Sequence, residues 1–331
     1  EDRYGMQSGQ LVMTTQATKG SDSNRIDSAE ATALFVEDRF TTGAMTITAG
    51  ARYEEITVKR DDWGKTDPDR SETPSKREHT IDVVVPGIGI EYAINESQTV
   101  SVGIHKGFAP PGPGTSGVTD KAVDPETSMN TEIGFKSNKG LNSLEFTLFM
   151  NSYDNLLGAD TAASGGGSDD LFNGGAVDIS GFELYLRRIL VDNGRIQMPL
   201  ELAWTNTNSE FQESFDGFWG DVSKGDELPY LPDTMIALNL GLNVDKISAN
   251  ISMKKTSEMR TVAGSGSISG SNATDELTII DLGLRYALQD NIRLSVGINN
   301  FMDDDGVVSR RPYGARPTMP RSFSLGVDYT F

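Results

Sequence analysis

The sequence contains no cysteine among its 331 residues, which excludes a disulfide framework and any chemistry that needs a thiolate. It also contains no run of about 18 apolar residues, so no segment is suited to cross a membrane as a helix. The chain has only two histidines, His79 and His105, and their spacing fits no metal-binding motif. These absences leave the sequence without a catalytic or metal-binding constellation.

Basic residues are scarce, with 29 Lys and Arg against 48 Asp and Glu, and the formal net charge is -19. A chain without a basic field cannot hold phosphates well, which argues against nucleic acid as a partner. The length allows either two ordinary domains or one all-β barrel. The mean hydropathy of -0.36 resembles that of a soluble protein, but a membrane barrel has a similar average because alternate residues face its lumen.

Alternation of apolar and polar residues is the main positive signal, and it is clearest at the C-terminus. Phe323, Leu325, Val327, Tyr329 and Phe331 are separated by single small or polar residues. A period of two predicts a strand with one apolar and one polar face. A last strand that ends on an aromatic residue is typical of bacterial outer-membrane barrels.

The same alternation predicts about thirteen strands, joined in turn by short and long connections. They lie at 29–40, 45–59, 79–94, 99–107, 125–137, 141–154, 179–189, 195–208, 233–244, 247–256, 277–287, 291–300 and 322–331. Residues 1–28 are polar and predict an extracellular loop with room for a weak strand over 9–17. We therefore predict an all-β fold, an antiparallel transmembrane β-barrel with short periplasmic turns and long extracellular loops.

Several short segments at predicted strand ends carry a resemblance to a known family. They are Glu37-Asp38-Arg39-Phe40, Gly50-Ala51-Arg52-Tyr53-Glu54, Gly107-Phe108-Ala109-Pro110-Pro111, Asn130-Thr131-Glu132-Ile133-Gly134, Gly181-Phe182-Glu183-Leu184, Gly297-Ile298-Asn299-Asn300-Phe301 and Arg311-Pro312-Tyr313-Gly314-Ala315-Arg316-Pro317. In this order they resemble the TonB-dependent outer-membrane receptors, in particular the iron-citrate and siderophore receptor type. The resemblance runs through nearly the whole chain from Ala29.

The resemblance implies a barrel of about twenty-two strands whose lumen is filled by an N-terminal plug. This sequence predicts about thirteen or fourteen strands and no plug, so we expect 29–331 to be the C-terminal barrel portion of a longer receptor. The chain begins at Glu1 without a starting Met or a signal peptide, and we expect that processing or truncation has removed the leader. The alternative is a barrel of about fourteen strands that the weak strand over 9–17 completes.

The function that the resemblance implies is import of a ferric chelate, such as ferric citrate or a siderophore complex, across the bacterial outer membrane. The implied partners are outer-membrane lipid, the ferric chelate, and the TonB energy-transducing complex, which would act through the missing plug region. The implied barrel performs no covalent chemistry and carries no cofactor. Two other hypotheses stay open: a passive pore or small-solute channel of about fourteen strands, and an adhesive barrel whose loops bind a surface partner.

Cations near the extracellular end are the candidate ligand contacts, because the planar fork of Arg grips carboxylates in pairs. Arg310, Arg311 and Arg316 cluster in the last loop with Tyr313, and His105 lies near an extracellular strand end. Against this hypothesis, the neighbouring 303–305 aspartates could neutralise the arginines, and His105 could be solvated or contact a plug. Three arginines of an earlier loop are weaker candidates because that loop is also rich in aspartate; they are Arg60, Arg70 and Arg77.

Overall fold

Thirteen strands pair in chain order to form one antiparallel sheet in the computed structural model. The structure describes residues 3–16, 24–112, 124–159, 171–217, 220–268, 270–310 and 314–330. One short 3-10 helix, Gly270–Asn272, interrupts the β-structure of these residues. No helix among them is long and apolar enough to cross a membrane.

The strands of the main sheet follow one another along the chain, and short extra strands lie in the connections. The main strands are β3 (Arg25–Thr42), β4 (Met45–Asp62), β5 (Ser75–Asn95), β6 (Gln98–Ala109), β7 (Glu126–Lys139), β8 (Asn142–Tyr153), β11 (Val177–Asp192), β12 (Ile196–Phe211), β15 (Thr234–Val244), β16 (Ile247–Thr256), β17 (Leu277–Gln289), β18 (Ile292–Asn299) and β21 (Ser322–Tyr329). The extra strands are β1 (Arg3–Gln7), β2 (Gln10–Thr15), β9 (Leu157–Ala159), β10 (Leu171–Asn173), β13 (Phe215–Gly217), β14 (Gly220–Val222), β19 (Val307–Ser309) and β20 (Arg316–Pro317).

The predicted strands correspond one to one with the strands of the main sheet, and the all-β antiparallel barrel class is confirmed. Each strand pairs with its chain neighbours, and β3 and β21 stand at the two ends of the hydrogen-bonded order. The predicted β16 has the observed bounds, Ile247–Thr256. The other strands differ from prediction at their ends by a few residues, some being longer and some shorter, because alternation locates a strand better than it locates its ends.

The two faces of the sheet have opposite chemistry, which follows from the uninterrupted register. On β15 and β16, Leu240 lies opposite Ile251, and the next pair on the other face is Gly241 with Asn250. The face that carries glycine and polar side chains lines the lumen, and the apolar face points outward. Outward side chains are exposed in the protein alone, with Leu325 exposed to 86%. An apolar outer face of this extent is typical of a membrane barrel.

Connections alternate in length as predicted. The short ones include the turns at Gly43, with a φ of 58°, and at Gly140, with a φ of 61°. These left-handed values favour glycine, because the Cβ of any other residue would come too close to the carbonyl oxygen that follows it. All long connections lie at the opposite, extracellular end of the sheet, so candidate ligand contacts in loops are gathered at one end.

Short hairpins inside the long connections were not predicted from the sequence. The first 28 residues contain one as well: β1 pairs with β2 around Ser8 and Gly9, both in left-handed conformations. This pair of φ values suits a two-residue hairpin turn. The sequence predicts a loop with one weak strand there, because Ser-Gly is a weaker turn signal than Asn-Gly.

Strands β3, β4 and β5 are longer than a strand needs to be to cross a bilayer. They contain 18, 18 and 21 residues, whereas about 9–11 residues cross a bilayer. Beyond Tyr53 the polarity of the faces inverts: Ile56 and Val58 are buried on the inner side, while the outer side carries ion pairs such as Lys59 with Glu78. This inversion indicates that the upper part of the three strands stands in water.

Candidate functional site

Four long connections at the extracellular end are folded together, and we call them the rim. The rim comprises the described residues within 154–176, 212–233, 257–276 and 300–321. Three of these connections contain short hairpins, which are β9–β10, β13–β14 and β19–β20. The rim is therefore a folded surface at this end of the sheet.

An apolar core lies inside the rim. Val177, Phe211 and Val222 are buried there, and the rings of Phe211 and Phe215 meet edge to face at 5.6 Å. Partly buried residues complete the cluster: Tyr153, Leu156, Ile179, Phe215, Leu228 and Ala263. Burial of this kind stabilises each large side chain by about 1.5–3 kcal/mol, so the rim has a core of its own above the barrel wall.

A buried arginine joins two rim connections. The Arg260 guanidinium, 8% exposed, donates hydrogen bonds to the Glu227 carboxylate and to the Gly266 carbonyl. Asp233 lies beside this pair, and burial raises its pKa; the negative charge of Glu227 raises it further, and Arg260 opposes the rise. The positive charge of Arg260 is therefore paired with a carboxylate inside the protein.

Arg310 and Arg316 occupy different surroundings in the last rim connection. The Arg310 side chain donates to the Ala273 carbonyl, and its backbone N–H donates to the Tyr230 hydroxyl at 3.3 Å. Arg316 is exposed and lies in β20, paired with Ser309 of β19. Arg311 and Tyr313, the other two candidates of this connection, lie outside the described residues.

His105 lies on β6, on the lumen face of the barrel wall. It pairs with Gly87 of β5, and a Cβ at residue 87 would come within 3.2 Å of the His105 Cβ. The two residues line an open depression of about 560 Å³, which also includes Gly50, Gly89 and Gly103. His105 therefore belongs to the wall, while Arg310 and Arg316 belong to the rim, so the three candidates that the structure describes do not form one cluster.

The connection 63–74 is separate from the rim and is organised by Asp67. The Asp67 carboxylate accepts hydrogen bonds from the Ser71 and Glu72 backbone N–H groups at 3.0 and 2.9 Å, and from the Ser71 hydroxyl at 2.9 Å. These hydrogen bonds lower the pKa of the Asp67 carboxyl, and the bond from the Glu72 backbone N–H has the largest effect. The ionised carboxylate thus accepts three hydrogen bonds that hold the connection in one shape.

The three weaker arginine candidates lie near this connection. Arg60 donates to both carboxylate oxygens of Asp27 at 2.7 and 3.0 Å. Arg70 donates to the Asn24 side chain at 2.8 Å and lies 4.8 Å from the centre of the Trp63 ring. Arg77 lies on β5. The contacts of Arg60 and Arg70 are structural, and sequence reasoning missed them because both partners are distant in the chain.

The described residues offer hydrogen bonds and charge rather than metal ligation. Within the described ranges, no group of three or more His, Asp or Glu residues is placed to hold a metal ion. The arginines at the extracellular end present planar donors, and the carboxylates outnumber them. Such a surface can bind and orient a polar ligand without covalent chemistry.

Comparisons with known proteins agree on the fold. A family model described as "TonB dependent receptor-like, beta-barrel" matches residues 2–301. No curated protein matches the chain. Three solved structures are similar to it. The siderophore receptor PiuA from Acinetobacter baumannii is 17% identical with a TM-score of 0.72, and the match covers 92% of this chain and 43% of PiuA.

The other two structures give comparable values. The ferric-catecholate import receptor Fiu from E. coli K12, in its closed form, is 18% identical with a TM-score of 0.71, over 98% of this chain and 47% of Fiu. The ferric citrate transporter FecA, unliganded, is 19% identical with a TM-score of 0.73, over 97% of this chain and 48% of FecA. This chain therefore spans less than half the length of these three proteins, and at such identities the likeness shows the fold.

Proposed function

The chain belongs to the TonB-dependent receptor family, since the β-barrel model of that family matches residues 2–301, and from this membership we propose that it is the barrel portion of a ferric-chelate importer. The ligand in this proposal is ferric citrate or a siderophore-like complex. The location is the outer membrane of a Gram-negative bacterium, with the apolar face of the sheet against lipid. The observation that carries the proposal is the family match over a barrel sheet whose long connections form a folded extracellular surface.

The proposed division of the receptor assigns residues 29–331 to the barrel and 1–28 to an extracellular segment. The plug lies outside these 331 residues, and the TonB complex acts through it to release the ligand. In the assembled receptor the barrel surrounds the plug, and the extracellular face of the barrel binds the ligand without covalent chemistry. In this proposal, the plug contacts the lumen face of the wall at the depression beside His105.

The proposed ligand contacts are Arg316, Arg311 and Tyr313 in the last connection, with His105 inside the lumen. Arg316 leads this group because its side chain is exposed. Arg310 has a different primary role in the proposal, because its guanidinium holds Ala273 of the neighbouring connection. Arg310 therefore contributes to ligand capture by holding the third and fourth rim connections together.

Uptake of radiolabelled ferric citrate by cells that lack or carry the full-length gene tests the proposal. We expect uptake only with the gene and only with an intact TonB complex. We also expect Arg316→Ala to reduce ligand binding more than Arg60→Ala, because Arg60 is paired with Asp27 away from the rim. Uptake that is unaffected by loss of TonB would overturn the proposal, and ion conductance of the purified protein in planar bilayers would then support the passive channel.

A further inference from the structure

Direct hydrogen bonds join the first rim connection to the start of β7 and to the second connection. The Asn155 side chain donates to the Asp124 carbonyl at 3.1 Å, and the Leu157 N–H donates to the Glu126 carboxylate at 2.9 Å. At the other end of this connection, the Gln212 N–H donates to the Ala176 carbonyl at 2.8 Å. The chain from 124 to 212 is therefore tied together above the sheet.

The second and third connections are joined by backbone pairing and by the buried arginine. The Glu227 N–H donates to the Gly264 carbonyl at 2.8 Å, and the Tyr230 N–H donates to the Arg260 carbonyl at 2.8 Å. The Arg260 side chain returns to the Glu227 carboxylate. Opening either connection alone would leave a buried guanidinium without its partner, which is costly.

The third and fourth connections are joined in the same way. The Asp275 N–H donates to the Val307 carbonyl at 2.9 Å, and the Asp275 carboxylate accepts from the Val307 N–H at 2.7 Å. Arg310 reaches the Ala273 carbonyl, and its own N–H reaches the Tyr230 hydroxyl of the second connection. A series of direct contacts therefore runs from residue 124 to residue 310.

The apolar core gives the first three connections a further reason to open together. Val177 and Phe211 end β11 and β12, Val222 belongs to the second connection and Ala263 to the third. A core that belongs to several connections loses its burial when any of them leaves. Groups that share a core and a hydrogen-bond network open cooperatively.

We propose that the rim is one cooperative unit that opens and closes as a single body, and that the connection 63–74 belongs to a second, independent unit. Hydrogen bonds tie 63–74 to the start of β3 instead: the Trp63 N–H donates to the Asn24 carbonyl, and the Arg70 side chain donates to Asn24 and to the Arg25 carbonyl. Ligand-driven movement at the extracellular face then takes place between units rather than inside the rim. The proposal holds whichever chelate the receptor imports.

Hydrogen–deuterium exchange of the full-length receptor in lipid nanodiscs tests this proposal. In Arg260→Met, we expect amide exchange to accelerate about tenfold in all four rim connections by the same factor, and not at all in 63–74. The matched variant is Arg70→Met, which should accelerate exchange in 63–74 alone. Acceleration confined to the second and third connections, or acceleration that spreads to 63–74, would overturn the proposal.

A second pair of substitutions keeps the test decisive if Arg260→Met fails to assemble. Glu227 and Gly264 form an antiparallel bridge, and this chain has no cysteine of its own. In Glu227→Cys/Gly264→Cys, formation of the disulfide should slow exchange in all four rim connections, and reduction should reverse the effect. Glu227→Cys alone controls for loss of the Arg260 partner, and slowing limited to the two linked connections contradicts a single unit.

Discussion

Asn300 and Asp67 hold separate extracellular connections by the same means, a buried polar side chain bonded to backbone groups. The Asn300 side chain donates to the Asp304 and Met319 carbonyls at 3.0 Å each and accepts from the Asp304 N–H at 2.9 Å. Its φ of 51° is left-handed, a conformation that Asn tolerates better than most residues. Asn300 therefore fixes the backbone that follows β18, and Asp67 fixes the backbone of the connection between β4 and β5.

Asn300→Ala should lower the free energy of unfolding by about 2–3 kcal/mol, since it removes buried hydrogen bonds and puts Ala at a left-handed position that Asn tolerates better. Asn300→Gly should cost about 1 kcal/mol less, because glycine accepts the backbone conformation while losing the same bonds. Urea unfolding of the barrel in lipid vesicles measures both. Equal losses for the two variants would show that the backbone conformation contributes nothing.

Acid should loosen the connection 63–74 through Asp67. The folded pKa of Asp67 is lowered, so its ionised carboxylate stabilises the connection above the ordinary carboxyl pKa, and this stabilisation is lost as pH falls through the folded pKa. Asp67→Asn should mimic that loss at neutral pH and speed proteolysis within 63–74 about tenfold.

The control for Asp67 is Glu72→Gln, which removes a carboxylate from the same connection and leaves the three accepted bonds in place. It should leave the cleavage rate near that of the wild type at neutral pH. A cleavage rate that does not change in Asp67→Asn, or that changes equally in Glu72→Gln, contradicts the role given to Asp67.

At the scale of elements, alternation of side chains was sufficient to predict the main strands. The signal is strong because each strand has one face in lipid and one in the lumen, so a period of two continues over many residues. The signal fails at the upper ends of β4 and β5, where the faces exchange polarity beyond Tyr53. It fails again in the short hairpins, such as β9 with β10, since three residues are too few to show a period.

Charge placed on the two faces of β15 should have unequal effects. Leu240→Arg puts a cation on the lipid face and should destabilise the barrel by about 2–4 kcal/mol. Asn239→Arg, one residue away on the lumen face, should cost less than about 1 kcal/mol. Unfolding in vesicles of defined composition measures the difference. The reverse order would mean that the faces are assigned the wrong way round.

At the scale of the molecule, the sequence predicted at which end the long connections lie, but not how those connections are arranged. The asymmetry of connection lengths places all long connections at one end, and the structure agrees. The joining of rim connections could not be predicted, because it depends on contacts such as Arg260 with Glu227, whose partners are far apart in the chain. The roles of Arg311, Tyr313, Arg316 and His105 in ligand binding stay predictions.

The acidic character of the rim predicts how salt affects capture. The connection 154–176 has four aspartates and no Lys or Arg, and 212–233 has six acidic residues against Lys224 alone. Capture of an anionic chelate such as ferric citrate should therefore become severalfold faster as salt rises from about 0.01 to 0.15 M, because screening weakens the repulsion. Stopped-flow binding measures the rate.

The matched variant for this prediction is Asp221→Asn/Glu258→Gln, which removes two exposed charges of the rim. It should capture the anion faster at low salt and show a weaker dependence on salt. A rate that falls with salt in the wild type would show that local arginines dominate the field at the point of capture.

The strict order of the sheet has a consequence for how such a chain can change. Each strand pairs with the strands before and after it in the sequence. A break in one long connection therefore divides the chain into two segments, and each segment forms a contiguous part of the sheet. The molecule is divisible in units of one hairpin. A barrel built in this way can gain, lose or exchange hairpins while those that remain keep their own pairing partners.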